Sequence, residues 1–408
     1  MSIKGTYRRF MFLVFTIYFG TSMLIAEGIK DSESATHGSN AALYNIVDTY
    51  EFPGFSLVQI KLPTLSTFSY LLISGKDGLL VDPGRDISFF LETIKKKRVT
   101  LRGIYLSHSH ADFVAGHMEM VKKMKCSIYQ SAKSGAAYPI EALNDGSSIK
   151  IGKISIKFID TPGHTPDGMC ALVYGTKSEH DPVAVITGDV LFVGSVGRPD
   201  LMGGTTSAAW LASAMYDSWN NKLSKLPGSV KVFPAHGAGS LCGAHLSDDP
   251  YSTIDREKKT NPYLQYKNRN EFVAALLDGL PEAPQYFKHN AAMNKNGPPL
   301  VDWDADPEKV TATADLSNPD TYFVVDVGEA KTYASGHIPK SVNIGVRGRL
   351  ETWVGIIVPF DANLILTGTD EETKESIYRL HRVGFHFTLF CTDSQTSRII
   401  KTGAIIIT

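Results

Sequence analysis

The chain reads as α/β, in two parts. Two observations predict this. Short apolar runs of strand length alternate with stretches of helical spacing along most of the sequence. At 408 residues the chain is also longer than one hydrophobic core usually fills. The elements follow in order. Residues 55–62 and 67–73 are strands, and Gly75-Lys76-Asp77-Gly78 turns the chain into 79–81, because Asp-Gly between apolar runs favours a hairpin. Residues 86–97 have helical spacing. A strand at 103–106, a helix at 114–124 and a strand at 127–130 come next. Residues 149–151 and 154–159 form a second hairpin about Gly152-Lys153, and 183–187 is another buried strand. Residues 208–226 predict one long amphipathic helix, its Trp210, Met215 and Trp219 stripe expected in the core. A connecting region with a helix near 270–279 follows. Strands at 322–327, 364–366 and 386–390, with a helix at 371–383, make the smaller second part.

Composition excludes several classes. A content of 43% hydrophobic and 20% charged residues is that of a globular protein, not a disordered one. A formal net charge of -1, without a basic stripe or zinc-finger spacing, argues against nucleic acid as a partner. Residues 1–26 stand apart. Lys4, Arg8 and Arg9 precede an apolar run from Phe10 to Ala26, the pattern of a secretory signal or an uncleaved anchor. Residues 27–44 read as a flexible tether. The expectation is an exported, periplasmic protein that meets a membrane only through its N-terminal segment. Cys126, Cys170, Cys242 and Cys391 are too few for a disulfide scaffold.

The chemistry concentrates at four strand ends. Ser107-His108-Ser109-His110-Ala111-Asp112 follows the apolar run 103–106, so two imidazoles and a carboxylate enter one small volume. These are ligand types for zinc and iron. Thr161-Pro162-Gly163-His164-Thr165-Pro166 follows the strand 154–159, with Pro and Gly fixing a tight turn around His164. Gly188-Asp189 closes the strand 183–187; alone, Asp189 would be read as a turn or cap residue. Val232-Phe233-Pro234-Ala235-His236-Gly237 repeats the pattern. In a chain with 12 histidines, four strand ends bearing ligand-type residues are a strong joint signal for a metal site.

This order of motifs resembles the metallo-β-lactamase superfamily over about residues 50–255. Gly188-Asp189-Val190-Leu191-Phe192-Val193-Gly194-Ser195-Val196-Gly197-Arg198-Pro199-Asp200-Leu201 looks like its persulfide dioxygenase branch. So does Pro234-Ala235-His236-Gly237-Ala238-Gly239-Ser240-Leu241-Cys242-Gly243. The resemblance implies a four-layer αββα sandwich at 45–255, with the ligands on loops at one edge of the two sheets. A helical connector at 256–305 would lead to a rhodanese-like domain at 306–408. That second domain is expected to be inactive. Thr367-Gly368-Thr369-Asp370 stands where a rhodanese carries its cysteine, Gly328 replaces an arginine, and Asp370, Glu371 and Glu372 repel anionic donors. Cys391 falls a helix too late and reads as structural. Packing, dimerisation or docking remains for this domain.

The resemblance also implies the ligands. His108, His164 and Asp189 would form a 2-His-1-carboxylate set, the arrangement that leaves open positions on mononuclear Fe(II), with Zn(II) the alternative. Superfamily hydrolases hold a second metal with the residue after the motif aspartate; here that residue is Phe113, which disfavours it. His110, Asp112 and His236 would then orient the ligands from behind, Asp112 receiving a ligand imidazole N–H. Arg198 has two readings, a surface pair with Asp200 or a guanidinium for a substrate carboxylate. Cys242 is by default inert, and its glycine-rich setting also suits binding a persulfide. The expected function is an iron-dependent persulfide dioxygenase, taking a small persulfide such as glutathione persulfide with O2 and water to sulfite and thiol. A glyoxalase-II-like thioester hydrolase, in which the metal activates water, is the alternative, and a non-catalytic sulfur-binding module the third reading. The expected partners are the persulfide and O2, with a second copy of the chain as the protein partner.

Overall fold

A computed structural model describes residues 44–178, 180–201, 206–303, 322–385 and 388–391. The expected signal segment and most of the tether lie outside these residues, as does the side chain of Cys391. Among the described residues, no helix is long and apolar enough to cross a membrane.

Two sheets pack face to face. The first takes its seven strands in chain order: β1 (Asn45–Phe52), β2 (Phe55–Leu62), β3 (Thr67–Ser74), β4 (Asp77–Val81), β5 (Thr100–Tyr105), β6 (Ser127–Ser131) and β7 (Glu141–Leu143). The second contains β8 (Ser148–Ile151), β9 (Ile154–Asp160), β10 (Met169–Tyr174), β11 (Ala184–Gly188), β12 (Lys231–Pro234) and β13 (Ser252–Thr253). Its order, β13-β12-β11-β10-β9-β8, runs antiparallel except for the parallel β11–β12 pair. Alternation along the strands explains the layering. Tyr70, Leu72, Leu79 and Val81 point between the sheets, onto Ile156, Phe158, Ala171 and Ile186. Their neighbours Leu71 and Leu80 point outward, into a core with Phe90 and Met120 of α1 (Ser88–Lys96) and α2 (His117–Met124). On the far side, Cys170, Leu172 and Val185 meet Ala212, Met215 and Phe272 of α3 (Ala208–Asp217) and, past α4 (Ile254–Thr260), α5 (Arg269–Leu277). Strands buried on both faces need unbroken apolar runs, which is why the pattern was readable. This is the four-layer sandwich expected.

The helix read at 208–226 changes pitch. After α3 it makes a π turn at Ser218–Lys222 and a 3-10 turn at Leu223–Lys225. The buried stripe is Leu211, Met215 and Trp219; Trp210 is 52% exposed, which corrects its expected place in the core. Position 210 lies one step, about 100°, off that stripe.

The connector holds a helix the sequence reading missed, α6 (Gln285–Asn296). The smaller α/β region follows. Its sheet has the order β15-β14-β16-β17, all parallel, from β14 (Phe323–Asp326), β15 (Val342–Asn343), β16 (Leu364–Thr367) and β17 (Thr388–Cys391). Helices α7 (Ala330–Ser335), α8 (Leu350–Ile357) and α9 (Asp370–His381) accompany it. Tyr286, Phe287, Val354, Leu380 and Phe385 share one core with Ile104, Phe113 and Met120 of the sandwich.

Candidate metal centre

The strand ends β5, β9, β11 and β12 deliver their side chains to one buried point. His108 and His164 are 3% exposed and Asp189 is 2% exposed, and one ligand atom from each lies within 4.8 Å of the others. Each has one polar atom held and another left over. His108 Nδ1 is 2.9 Å from Ser107 Oγ. His164 Nδ1–H donates to the Arg198 carbonyl at 2.8 Å, a pure acceptor, so the lone pair sits on Nε2. Asp189 Oδ1 accepts from His236 Nδ1 at 2.7 Å. This leaves His108 Nε2, His164 Nε2 and Asp189 Oδ2 buried with no hydrogen-bond partner. The carboxylate oxygen is 3.7 and 3.5 Å from the two imidazole nitrogens. Three convergent polar atoms without partners are costly in a folded protein unless something binds them, and they fit a divalent metal.

Electrostatics agree. Burial lowers the pKa of His108 well below its ordinary value, helped by neighbouring His110, and burial lowers His164 too, so both are neutral and able to bind. Burial would raise Asp189, but His236, His108 and His164 overcome it and hold the carboxyl well below the usual range.

A second group stands beside the first. Asp112, His236 and Cys242 also bring ligand atoms within 4.8 Å. His236 bridges two carboxylates, Nδ1 to Asp189 and Nε2 to Asp112 at 2.8 Å. Burial opposes its charge, but Asp112 and Asp189 raise its pKa well above the ordinary value. Asp112 therefore serves His236, not a ligand imidazole, which corrects the expected partner. The ligand imidazoles are oriented by a neighbouring hydroxyl and a main-chain carbonyl instead. Phe113, directly after Asp112, lies against His110, ring centroids 4.4 Å apart. His110 Nε2 is 3.1 Å from Asp82 Oδ1.

Arg198 is corrected as well. Its guanidinium grips Asp200 through two bonds of 2.7 and 2.6 Å and donates to the Pro281 carbonyl; Asp200 is the partner expected, but the arginine is buried and the pair is not a surface one. Its influence on the site runs through the carbonyl that holds His164. Cys242 is fully buried; burial first, then the Asp112 and Asp189 carboxylates, push its thiol well up, so it is not a poised thiolate.

Two glycines permit the close approach. A Cβ at Gly197 would sit 2.0 Å from the Asp189 carbonyl, and one at Gly163 would sit 2.6 Å from Met215 Cβ. The π turn after α3 also braces this loop, since Ser218 Oγ donates to Pro162 at 2.7 Å.

Sequence reasoning missed Asp82, Asp167 and Asn294. Asp82 takes the Ser107 N–H at 2.8 Å from a left-handed backbone, φ +47°. Asp167 takes both the N–H and hydroxyl of Ser109. A signal for Asp82 existed: it follows the apolar run 79–81, as the other site residues follow theirs.

A family model described as the metallo-beta-lactamase superfamily matches residues 62–236, within the sandwich and across all four strand ends. Hydroxyacylglutathione hydrolase of Francisella tularensis subsp. novicida (strain U112) is 30% identical over 204 residues, 48% of this chain and 74% of that protein. The chain belongs to the metallo-β-lactamase superfamily. The structure of a metallo-beta-lactamase from Staphylococcus aureus subsp. aureus COL matches this superfamily member with a TM-score of 0.75 at 25% identity, over 83% of this chain and 99% of that one. ETHE1 from Myxococcus xanthus matches with a TM-score of 0.51 at 24% identity, over 59% of this chain and 97% of its own, and shares the fold. Among metallo-β-lactamase folds, this chain is a metal-binding one by its His and Asp clusters.

Proposed function

We propose that this chain is a mononuclear, iron-dependent persulfide dioxygenase. The observation that carries the reading is the face formed by His108, His164 and Asp189, with Phe113 in place of a second-metal nitrogen. Two imidazoles and one carboxylate hold iron and leave open positions. When bound, the iron would supply the means for O2 to react with sulfur. The stretches that resemble the dioxygenase branch, 188–201 and 234–243, contribute Asp189, Arg198 and His236 to this place.

The chain's own residues would then do three things. Ser107 and the Arg198 carbonyl keep both ligand imidazoles in the right orientation. His236 binds one oxygen of Asp189, so the carboxylate presents its other oxygen to the metal. Thr161, Thr165, Met169 and Val190, all at most 6% exposed, line the pocket at these side chains and would shield it from bulk water. In the overall reaction the terminal sulfur of a persulfide RSSH is oxidised to sulfite and both atoms of O2 are reduced. Water supplies the third oxygen, and the thiol RSH leaves.

The C-terminal region belongs to this proposal as a rhodanese-like scaffold without sulfur-transfer chemistry. The Glu372 carboxylate folds back on the Thr369 N–H and hydroxyl, both at 3.0 Å, and fills the loop that would cradle an anion. Export through residues 1–26 is part of the same reading.

The relation to hydroxyacylglutathione hydrolase favours a second reading, metal-dependent hydrolysis of a glutathione thioester. One experiment separates the two. Anaerobically Fe(II)-loaded protein is given glutathione persulfide, and O2 uptake and sulfite are measured. The expected outcome is uptake with matching sulfite, lost in His164→Ala and absent from the Zn(II)-loaded protein. No uptake by protein holding one iron, with thioester cleavage instead, would establish the hydrolase.

A further inference from the structure

We propose that Asn294, on the connecting helix α6, is a positioning residue of the metal centre: its carboxamide sets the backbone of the loop that carries His108, His110 and Asp112. This rests on the metal-centre reading, not on which reaction the metal serves.

The loop from Ser107 to Ala115 has no regular structure, so its backbone groups need partners from outside. The first half finds them within the sandwich, in Asp82 and Asp167. The second half, beside one bridge between Ala115 and Gly84, draws on the connecting helix and the smaller region. Asn294 Nδ2 donates to the His110 carbonyl and to the Phe113 carbonyl, both at 2.8 Å. Asn294 Oδ1 accepts the Ala115 N–H at 2.8 Å. All three bonds of one side chain therefore go to one loop, bracketing Asp112. The Val114 N–H between them is taken by the Arg382 carbonyl at 2.7 Å.

The carboxamide is itself immobile. Asn294 is 4% exposed, and Ala291 and Phe287, one and two turns earlier on the same helix face, are buried in the shared core. A core of the smaller region thus fixes the helix, the helix fixes Asn294, and Asn294 fixes where His110 and Asp112 leave the backbone. His110 in turn packs on His108, ring centroids 4.1 Å apart, and Asp112 holds His236, which orients Asp189. Both of these contacts start from the half of the loop that Asn294 holds.

Outer partners of metal ligands typically contribute about 10–100-fold in metal affinity. The test titrates Co(II) into the full apo chain without O2, reading the visible ligand-field band and competition with a chelator. Wild type, Asn294→Ala, Asn294→Asp and His164→Ala are compared, with circular dichroism and melting curves as folding controls. Asn294→Asp keeps the size and the Ala115 bond but loses both donors. It decides the matter should Asn294→Ala fail to fold. Expected are an affinity loss of about 10–100-fold and a shifted band in a folded Asn294 variant. Wild-type affinity and spectrum in that variant, with binding lost in His164→Ala, would overturn the positioning role alone. Wild-type binding by His164→Ala would overturn the metal centre instead.

Discussion

His117 shows how much a single buried ring can govern. It is fully buried, and its ring lies 4.8 Å from that of Tyr138. Burial brings its pKa down from 6.5 to about 3. The folded state therefore binds a proton less readily than the unfolded state. Its contribution is complete above the unfolded value and is lost as pH falls from 6.5 towards 3, at about 1.4 kcal/mol per pH unit. The expectation is a melting temperature that drops between about pH 6.5 and about pH 4.5, and drops less in His117→Phe, measured by scanning calorimetry. Site residues differed in legibility for a related reason. His108 and His164 announced themselves because each follows an apolar strand and carries a scarce chemistry, whereas Asp189 was legible only jointly with them and through the resemblance. Asp82 and Asn294 did not, since an aspartate after a strand and an asparagine in a helix are ordinary in sequence. Their value lies in contacts up to 184 residues away.

Elements meet across the molecule through buried charge. The loop after β4 carries Arg85 and Asp86, and the end of α9 leads into Arg382. Arg382 pairs with Asp86 at 2.6 Å, both side chains at most 1% exposed, and approaches Glu351 of α8 at 3.4 Å. Burial would lower the Arg382 pKa, but Asp86 and Tyr44 more than compensate and raise it. Breaking a buried pair leaves an uncompensated charge, so Arg382→Met should cost about 3–5 kcal/mol by urea denaturation. Adding Asp86→Asn to it should recover part of that loss; strict additivity would show that the two do not interact. At this scale most elements were readable, because strand runs buried on both faces cannot be disguised. The exceptions have physical causes. Helix α6, Gln-Tyr-Phe-Lys-His-Asn-Ala-Ala-Met-Asn-Lys-Asn, buries Asn290 and Asn294 along with Tyr286, Phe287 and Ala291, so its inward stripe is partly polar. The pitch change after α3 depends on Ser218 reaching Pro162, a tertiary contact.

The molecule as a whole is joined more tightly than its two-part sequence suggests. The four-layer sandwich was legible from periodicity and from the resemblance it supported. The shared core was not, because apolar residues on a sheet's outer face look the same whether a helix or a second region covers them. That core runs from Leu80 and Ile104 through Tyr286 to Leu366 and Phe385 without interruption. Regions that share a core and buried ion pairs cannot unfold separately without exposing both. Two tryptophans can report on this. Trp219 is buried under the second sheet, and Trp303 packs on Tyr378 of α9, ring centroids 4.4 Å apart. Variants keeping only one of them fluorescent should unfold in urea at the same midpoint and with the same slope. Metal release should then lower both midpoints together, because a ligand bound only to the folded state stabilises every part that unfolds with it. A chelator that shifts the Trp219 transition and leaves the Trp303 transition in place would show instead that the smaller region folds independently of the metal centre it touches.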